Sequence, residues 1–188
     1  LWSQIVLVEL FGGLLPGTVS AHELGLPVVA TFFSEVDPVA LHVASTNWPE
    51  AKCLGPIQSI VRSTVEEIVR SFPNALFCVL GGPPCQDVTG LSATRLGADG
   101  PRSGLRDEYE RIYRDFVDLS PPSAVFGLME CTRMSPEDRV QYDAVFRSPP
   151  VEVCSRHFSS CTRPRLWWSS REFAWPPNVT IRQSDAGH

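Results

Sequence analysis

The sequence predicts an α/β protein, a doubly wound and mainly parallel sheet, and three observations carry that prediction. Short apolar, β-branched runs alternate with segments of helical period, the pattern of strand–helix–strand units. The runs are apolar throughout rather than at every second residue, as strands buried on both faces require. Each run also ends in glycine, proline or acidic residues, at the carboxyl ends where such folds bind ligands.

Taken in order, Ile5-Val6-Leu7-Val8 is a buried strand that runs into the glycine turn Phe11-Gly12-Gly13. Residues Gly17 to Leu24 read as a helix stopped by Gly25, and Pro27 to Phe33 as a second buried strand. Asp37-Pro38 supplies an N-cap and an N1 proline to a helix ending near Asn47. Ser63-Thr64-Val65-Glu66 has capping-box spacing and is expected to open the next helix. Leu76 to Leu80 is a third strand, and Gly81 to Gly104 has no period and reads as a long loop. Tyr109, Ile112, Tyr113, Phe116 and Val117 fall at i, i+3, i+4, i+7 and i+8, so they mark a helix lying on a core. A strand from Ala124 to Met129, a helix opened by Ser135-Pro136, and strands near Val151 to Ser155 and Arg165 to Trp168 complete the series.

With 188 residues, 43% hydrophobic and 20% charged, the chain has the composition of one packed globular domain. No apolar run approaches the ~18 residues of a membrane-spanning helix. Six cysteines are too few for a disulfide scaffold, so reduced thiols inside a cell are expected, with Cys53, Cys78 and Cys154 read as buried and inert. Asn178-Val179-Thr180 has glycosylation-acceptor spacing, which that composition argues is chance. The chain begins with Leu, so neither end is taken as a native terminus.

The net charge of −5 is unevenly placed. Lys52, Arg62 and Arg70 face seven acids in residues 1–75, whereas Arg147, Arg156, Arg163, Arg165, Arg171 and Arg182 face three in residues 145–188. A basic face can therefore exist on an acidic protein. One lysine among 16 basic residues fits either a GC-rich genome or selection for bidentate arginine contacts.

Two segments carry chemistry. The turn in Glu9 to Gly17 lets a backbone approach a ligand at a helix N-terminus, and Glu35 at the next strand end can accept from two ribose hydroxyls. Together they suggest an adenosine-containing cofactor. Gly81-Gly82-Pro83-Pro84-Cys85-Gln86 presents a thiol on a strand-to-loop turn stiffened by two prolines, which suits a nucleophile.

Pro84-Cys85-Gln86 after Gly82 resembles the nucleophile motif of the cytosine-5 DNA methyltransferases. In order along the chain, Phe11 to Gly17 resembles that family's methyl-donor loop and Phe33-Ser34-Glu35-Val36 its ribose-binding strand end. Met129-Glu130-Cys131 resembles its glutamate motif, and Thr162-Arg163-Pro164-Arg165 its paired arginines. Residues Ser159 to Trp168 look most like the animal de novo branch.

The resemblance implies a Rossmann-like, S-adenosylmethionine-dependent methyltransferase fold over residues 1–175, with 176–188 a truncated continuation. It implies that the Cys85 thiolate adds to C6 of a flipped-out cytosine, that Glu130 holds N3 and the amino group, and that Arg163 and Arg165 hold the carbonyl oxygen. S-adenosylmethionine would be bound by Phe11, Gly12, Gly13, Leu14, Gly17, Glu35, Val36, Ile57, Gly82 and Pro84. Arg95, Arg102 and Arg106, in and after the glycine-rich loop, are expected to meet phosphates of double-stranded DNA. The implied location is the nucleus in a eukaryote, or the cytoplasm in a bacterium, with no metal, no membrane, and a homo- or hetero-oligomer possible.

The chain also departs from the family. Pro56 stands where an acidic residue usually accepts from the adenine amino group, Cys131 where asparagine follows the glutamate, and Pro16 where a small or hydroxyl residue is common. The family's target-recognition region and closing segment are not recognisable in Ser169 to His188. The expected function is therefore DNA cytosine-5 methylation, with a catalytically silent regulatory module and a tRNA cytosine-5 methyltransferase as alternatives. Asp87-Val88, where the tRNA branch has Pro-Phe, argues against the last.

Overall fold

The computed structural model describes residues 2–84, 104–157, 159–172 and 182–183. The chain divides into two compact units, one built from Leu1–Gly82 with Asp107–Gly127 and the other from the remainder.

The first unit holds four parallel strands in the order β3-β2-β1-β4: β1 (Ile5–Leu10), β2 (Val28–Ser34), β3 (Lys52–Cys53) and β4 (Leu76–Gly81). Every residue of β1 is buried, as the unbroken apolar run requires of a central parallel strand. Its residues alternate between two cores. Ile5 and Leu7 pack with Cys78 and with Ala21 of α1 (Pro16–Glu23). On the other face of the sheet, Phe77 meets Phe116 of α4 (Gly104–Leu119) with ring centroids 5.4 Å apart. Burying each such aliphatic side chain contributes about 1.5–3 kcal/mol.

The expected capping of α2 (Pro38–Asn47) is present, with Asp37 accepting from the Val39 and Ala40 amides at 2.8 and 2.9 Å. Helix α3 (Arg62–Ser71) corrects the sequence reading. It begins at Arg62 behind Val61, without a side-chain cap, so Ser63 already lies inside the first turn and the capping box is not used. Arg62 instead donates to Asp115 of α4 at 2.7 Å, tying the two helices together. The predicted apolar stripe of α4 is oriented as expected, with Tyr109, Ile112 and Phe116 fully buried.

In the second unit the sheet is antiparallel. β5 (Val125–Cys131) enters it, followed across the sheet by β7 (Pro164–Ser169), β6 (Val151–Cys154) and β8 (Arg182–Gln183). The mainly parallel sheet that the sequence predicts is present, and its parallel pairs lie in the first unit. β6 and β7 are joined by nine residues, 155–163, too short for the helical crossover that a parallel pair needs. Helix α5 (Pro136–Phe146) is capped by Ser135, as its sequence implies. It packs on β7 through Tyr142 and Trp168, whose ring centroids lie 5.4 Å apart, and the Trp168 indole donates to Asp143 at 2.7 Å.

Two other expectations change. Cys53 is exposed, because β3 is a two-residue edge strand, and Cys154 is only half-buried, whereas Cys78 is buried as predicted. Among the described residues no helix is long and apolar enough to cross a membrane. No group of three or more His, Cys, Asp and Glu residues among them could hold a metal ion.

Candidate functional site

The loops that follow β1, β2 and β3 are tied to one another. The Gly12 amide donates to the Ser34 carbonyl at 2.9 Å, and the Gly13 amide donates to Glu35 Oε2 at 2.8 Å. Glu35 Oε1 accepts from the Val36 and Asp37 amides at 2.7 and 2.9 Å. Ser34 Oγ donates to the Gly55 carbonyl at 2.8 Å, which brings in the third loop. Glu35 thus stands where a ribose acceptor is expected, and its carboxylate already braces the glycine turn.

The turn has an unusual backbone. Phe11, Gly13 and Leu15 all have positive φ, at 58°, 54° and 57°. For the two non-glycine residues this costs about 1–2 kcal/mol each, so the surroundings must enforce it. Gly12 is packed shut, since a Cβ there would lie 2.9 Å from Leu15 Cδ2 and 3.2 Å from the Glu9 carbonyl. Gly13 is open, with nothing within 4 Å of the place a Cβ would take. Leu14 and Val36 are exposed apolar side chains on the first two loops. Ile57, only 4% exposed, is a core residue, and Pro56 begins the short 3-10 turn that contains it.

Sequence reasoning assigned no role to Glu9, which is 3% exposed within the apolar run of β1. Its Oε2 accepts from the Gly17 amide at 2.8 Å, and its Oε1 accepts from the Thr18 amide and hydroxyl at 2.7 and 2.5 Å. Burial pushes its carboxyl above the ordinary 4.5, opposed by the Thr18 hydroxyl and by the two amides. The signal was available: a carboxylate in a strand buried on both faces must find donors.

In the second unit, Glu130 lies opposite Trp167 in the β5–β7 ladder. Arg165, two residues from Trp167, therefore projects from the same face of the sheet as Glu130. Its Nε donates to Glu130 Oε1 at 2.6 Å, and its terminal nitrogen donates to the Pro164 carbonyl at 2.8 Å. Burial pushes the Glu130 carboxyl above 4.5, opposed by the charges of Arg165 and Arg163 and by the Arg165 hydrogen bond. The Arg163 side chain is exposed, and Cys131 is buried at 1% exposure.

Gly82 and Pro84 are half-buried beyond the end of β4. Cys85, Arg95 and Arg102 lie outside the described residues. Arg106 does not have the expected character of a phosphate contact. It is 9% exposed, donates to the Gln141 carbonyl of α5 at 2.7 Å, and lies 5.6 Å from the Tyr142 ring centroid. Its position in the first turn of α4 puts it into the core of the second unit.

No protein-family model matches the chain. It is 31% identical over 110 residues to the type II methyltransferase M.AquIA of Picosynechococcus, covering 58% of this chain and 43% of that protein. It is 27% identical over 115 residues to the DNA (cytosine-5)-methyltransferase DRM2 of Arabidopsis thaliana, covering 57% and 18%. A third relative, DRM1A of rice, is 24% identical over 127 residues, covering 64% and 26%. The two plant relatives are by name DNA (cytosine-5)-methyltransferases.

Among solved structures, the Dnmt2 methyltransferase of S. pombe matches 92% of this chain and 52% of its own, with a TM-score of 0.60 at 12% identity. A methyltransferase encoded in an E. coli prophage matches 88% and 46%, with a TM-score of 0.57 at 22% identity. The fold is therefore the α/β Rossmann-like fold of methyltransferases. The chain spans less than half the length of the curated relatives it matches.

Proposed function

We propose that this chain carries the cofactor cradle and base-holding groups of a DNA cytosine-5 methyltransferase, of the animal de novo type that residues Ser159 to Trp168 resemble. The observation that carries the reading is the Arg165–Glu130 pair at 2.6 Å, formed across β5 and β7 by the two residues that the family resemblance assigns to the target base. Half-burial raises the Glu130 carboxyl above 4.5, which suits a group that shares a proton with N3 of a cytosine.

The cradle fits S-adenosylmethionine. Glu35 offers acceptors for ribose hydroxyls, exposed Leu14 and Val36 offer apolar contact to adenine, and the open side of Gly13 leaves room for the ligand. Phe11, Gly12 and Gly17 shape the turn, and Ile57, Gly82 and Pro84 complete the set that the resemblance assigns to the cofactor. When bound, S-adenosylmethionine supplies an electrophilic methyl group.

The chain's own groups supply the rest of the chemistry. Glu130, with its raised pKa, shares a proton with N3 as the Cys85 thiolate adds to C6, which makes C5 nucleophilic. Loss of the C5 proton after methylation expels the thiolate. Arg165 orients Glu130, and with Arg163 it holds the base's carbonyl oxygen. The base must leave the duplex stack, at a cost of a few kcal/mol. Arg95 and Arg102 serve the DNA backbone. The site of action is the nucleus in a eukaryote and the cytoplasm in a bacterium.

Cys131 favours a second reading, a silent methyltransferase-like module. It places a buried thiol where the family has an amide that fixes the nucleophile loop. Covalent trapping separates the two. The protein is incubated with S-adenosylmethionine and with DNA or RNA oligonucleotides containing 5-fluorocytosine, which cannot release its 5-substituent as a proton. A denaturation-resistant complex with DNA that is lost in Cys85→Ser supports the enzyme, and a complex with RNA alone moves the substrate to tRNA. No complex from folded protein supports the silent module.

A further inference from the structure

In α/β nucleotide-binding folds, phosphate sits at the helix N-terminus behind the glycine turn. The first helix amides there have no partner within the helix, and the helix dipole adds about half a positive charge. In this chain that place is taken from within. Leu15 precedes α1 and offers no side-chain acceptor, Pro16 has no N–H, and the next two amides, Gly17 and Thr18, donate to Glu9 at 2.8 and 2.7 Å. The fit is close: a Cβ on Gly17 would lie 2.9 Å from Glu9 Oε2 and 2.4 Å from Leu80 Cδ1.

The groups facing Glu9 are the Thr18 hydroxyl from α1, with the Thr31 hydroxyl of β2 3.5 Å beyond it, and Leu80 of β4. Its hydrogen-bond partners are two amides and a hydroxyl rather than a cation. The charge is thus held by the same amides and dipole that would hold a phosphate.

We propose that Glu9 is a specificity-determining residue: an internal anion in the phosphate position, which makes the cradle take a nucleoside cofactor without phosphates and refuse nucleoside diphosphates. This rests on the reading of the 11–15 and 35–37 loops as a nucleoside-cofactor site. Two anions cannot share the same amides, and a diphosphate brought beside a buried carboxylate meets like-charge repulsion.

The test compares two ligands that share adenosine and differ in charge. Binding of S-adenosylhomocysteine and of ADP is measured by calorimetry on the whole chain, as wild type, Glu9→Ala and Glu9→Gln. The ratio of the ADP to the S-adenosylhomocysteine dissociation constant is expected to fall at least about tenfold in Glu9→Ala, which opens the position, and several-fold in Glu9→Gln, which removes only the charge. A Glu9 that merely supports the fold would weaken both ligands together and leave the ratio unchanged; that result overturns the proposal, as does a wild type that binds ADP as tightly as S-adenosylhomocysteine. If Glu9→Ala does not fold, Glu9→Gln decides alone. A wild type that binds neither ligand sinks the cofactor reading instead; ADP binding gained in a Glu9 variant then still sustains the proposal, and none gained overturns it.

Discussion

Replacing Gly17 by alanine sets two opposing effects against each other, and the structure decides between them. Gly17 is the second residue of α1, where alanine over glycine is worth up to about 1 kcal/mol of helix propensity. The added Cβ, however, would lie 2.4 Å from Leu80 Cδ1 and 2.9 Å from Glu9 Oε2. Leu80 has little room to swing away, because it packs against the core cluster of Ile5, Leu7, Ala21 and Cys78. Glu9 can retreat only by lengthening its bonds to the Gly17 and Thr18 amides, and hydrogen bonds to a charged group contribute about 1.5–3 kcal/mol each. Overpacking alone costs about 1–3 kcal/mol, so the net expectation is a loss of about 1–3 kcal/mol. At this chain length that lowers Tm by roughly 2–12 °C. Urea unfolding with parallel thermal melts measures it, and Gly13→Ala is the control. Gly13 has nothing within 4 Å but a φ of +54°, so its substitution should cost only about 1–2 kcal/mol of backbone strain while placing a methyl group in the open cradle. Gly17→Ala should therefore act chiefly on stability, and Gly13→Ala chiefly on S-adenosylhomocysteine affinity. A Gly17→Ala protein as stable as wild type would refute the close seating of Glu9 on the helix.

The other predictions concern single side chains. Arg106→Ala should lower stability by about 1–3 kcal/mol through its lost bond to the Gln141 carbonyl, while the salt dependence of DNA binding keeps its slope; a slope reduced by about one would restore Arg106 as a phosphate contact. Tyr109→Phe removes the hydroxyl that donates to the Val79 carbonyl at 3.0 Å and should cost about 1 kcal/mol, read by urea unfolding. Arg165→Lys keeps the charge but loses the Nε–H that donates to Glu130 Oε1, so covalent trapping should slow while Tm barely moves. For pH, Glu9 and Glu130 are both pushed up from 4.5 by burial, so the folded state holds their protons more tightly than the unfolded state does. Their contribution to stability is then full below about pH 4.5 and is lost as pH rises through the raised values. Glu9→Gln or Glu130→Gln should flatten that part of the stability–pH curve, and a curve unchanged in both variants would contradict the shifts.

The elements that could be read in the sequence were those whose signals are local. The burial of β1 follows from Ile5 to Val8, the cap of α2 from Asp37-Pro38 and that of α5 from Ser135-Pro136, because each depends on residues within one turn of one another. The start of α3 did not follow. Ser63 and Glu66 have the right spacing, but Arg62 is held against Asp115, 53 residues away, and the helix begins where that long-range pair places it. The antiparallel second unit was missed for a similar reason. Val151 and Leu166 look alike in parallel and antiparallel strands, and only the shortness of the 155–163 connection distinguishes them.

The same division runs through the candidate site. Gly13, Glu35, Glu130 and Arg165 were singled out through their resemblance to family motifs, and Arg165 does meet Glu130 across β5 and β7. Arg106 was misread because charge in a glycine-rich region suggests solvent, whereas its helical turn carries the guanidinium under Tyr142. Glu9 was passed over although it breaks an otherwise apolar strand, and the physical demand on such a residue is strict. A carboxylate with 3% of its surface exposed needs donors that nothing else in the fold claims. In a parallel strand followed by a tight turn, the donors available by construction are the orphan amides of the next helix, and here Pro16 and Leu15 leave Gly17 and Thr18 to fill that role. An acidic residue two positions before a glycine turn in a buried strand therefore bears on the ligand: the helix end that could have held a phosphate is occupied by the Glu9 carboxylate.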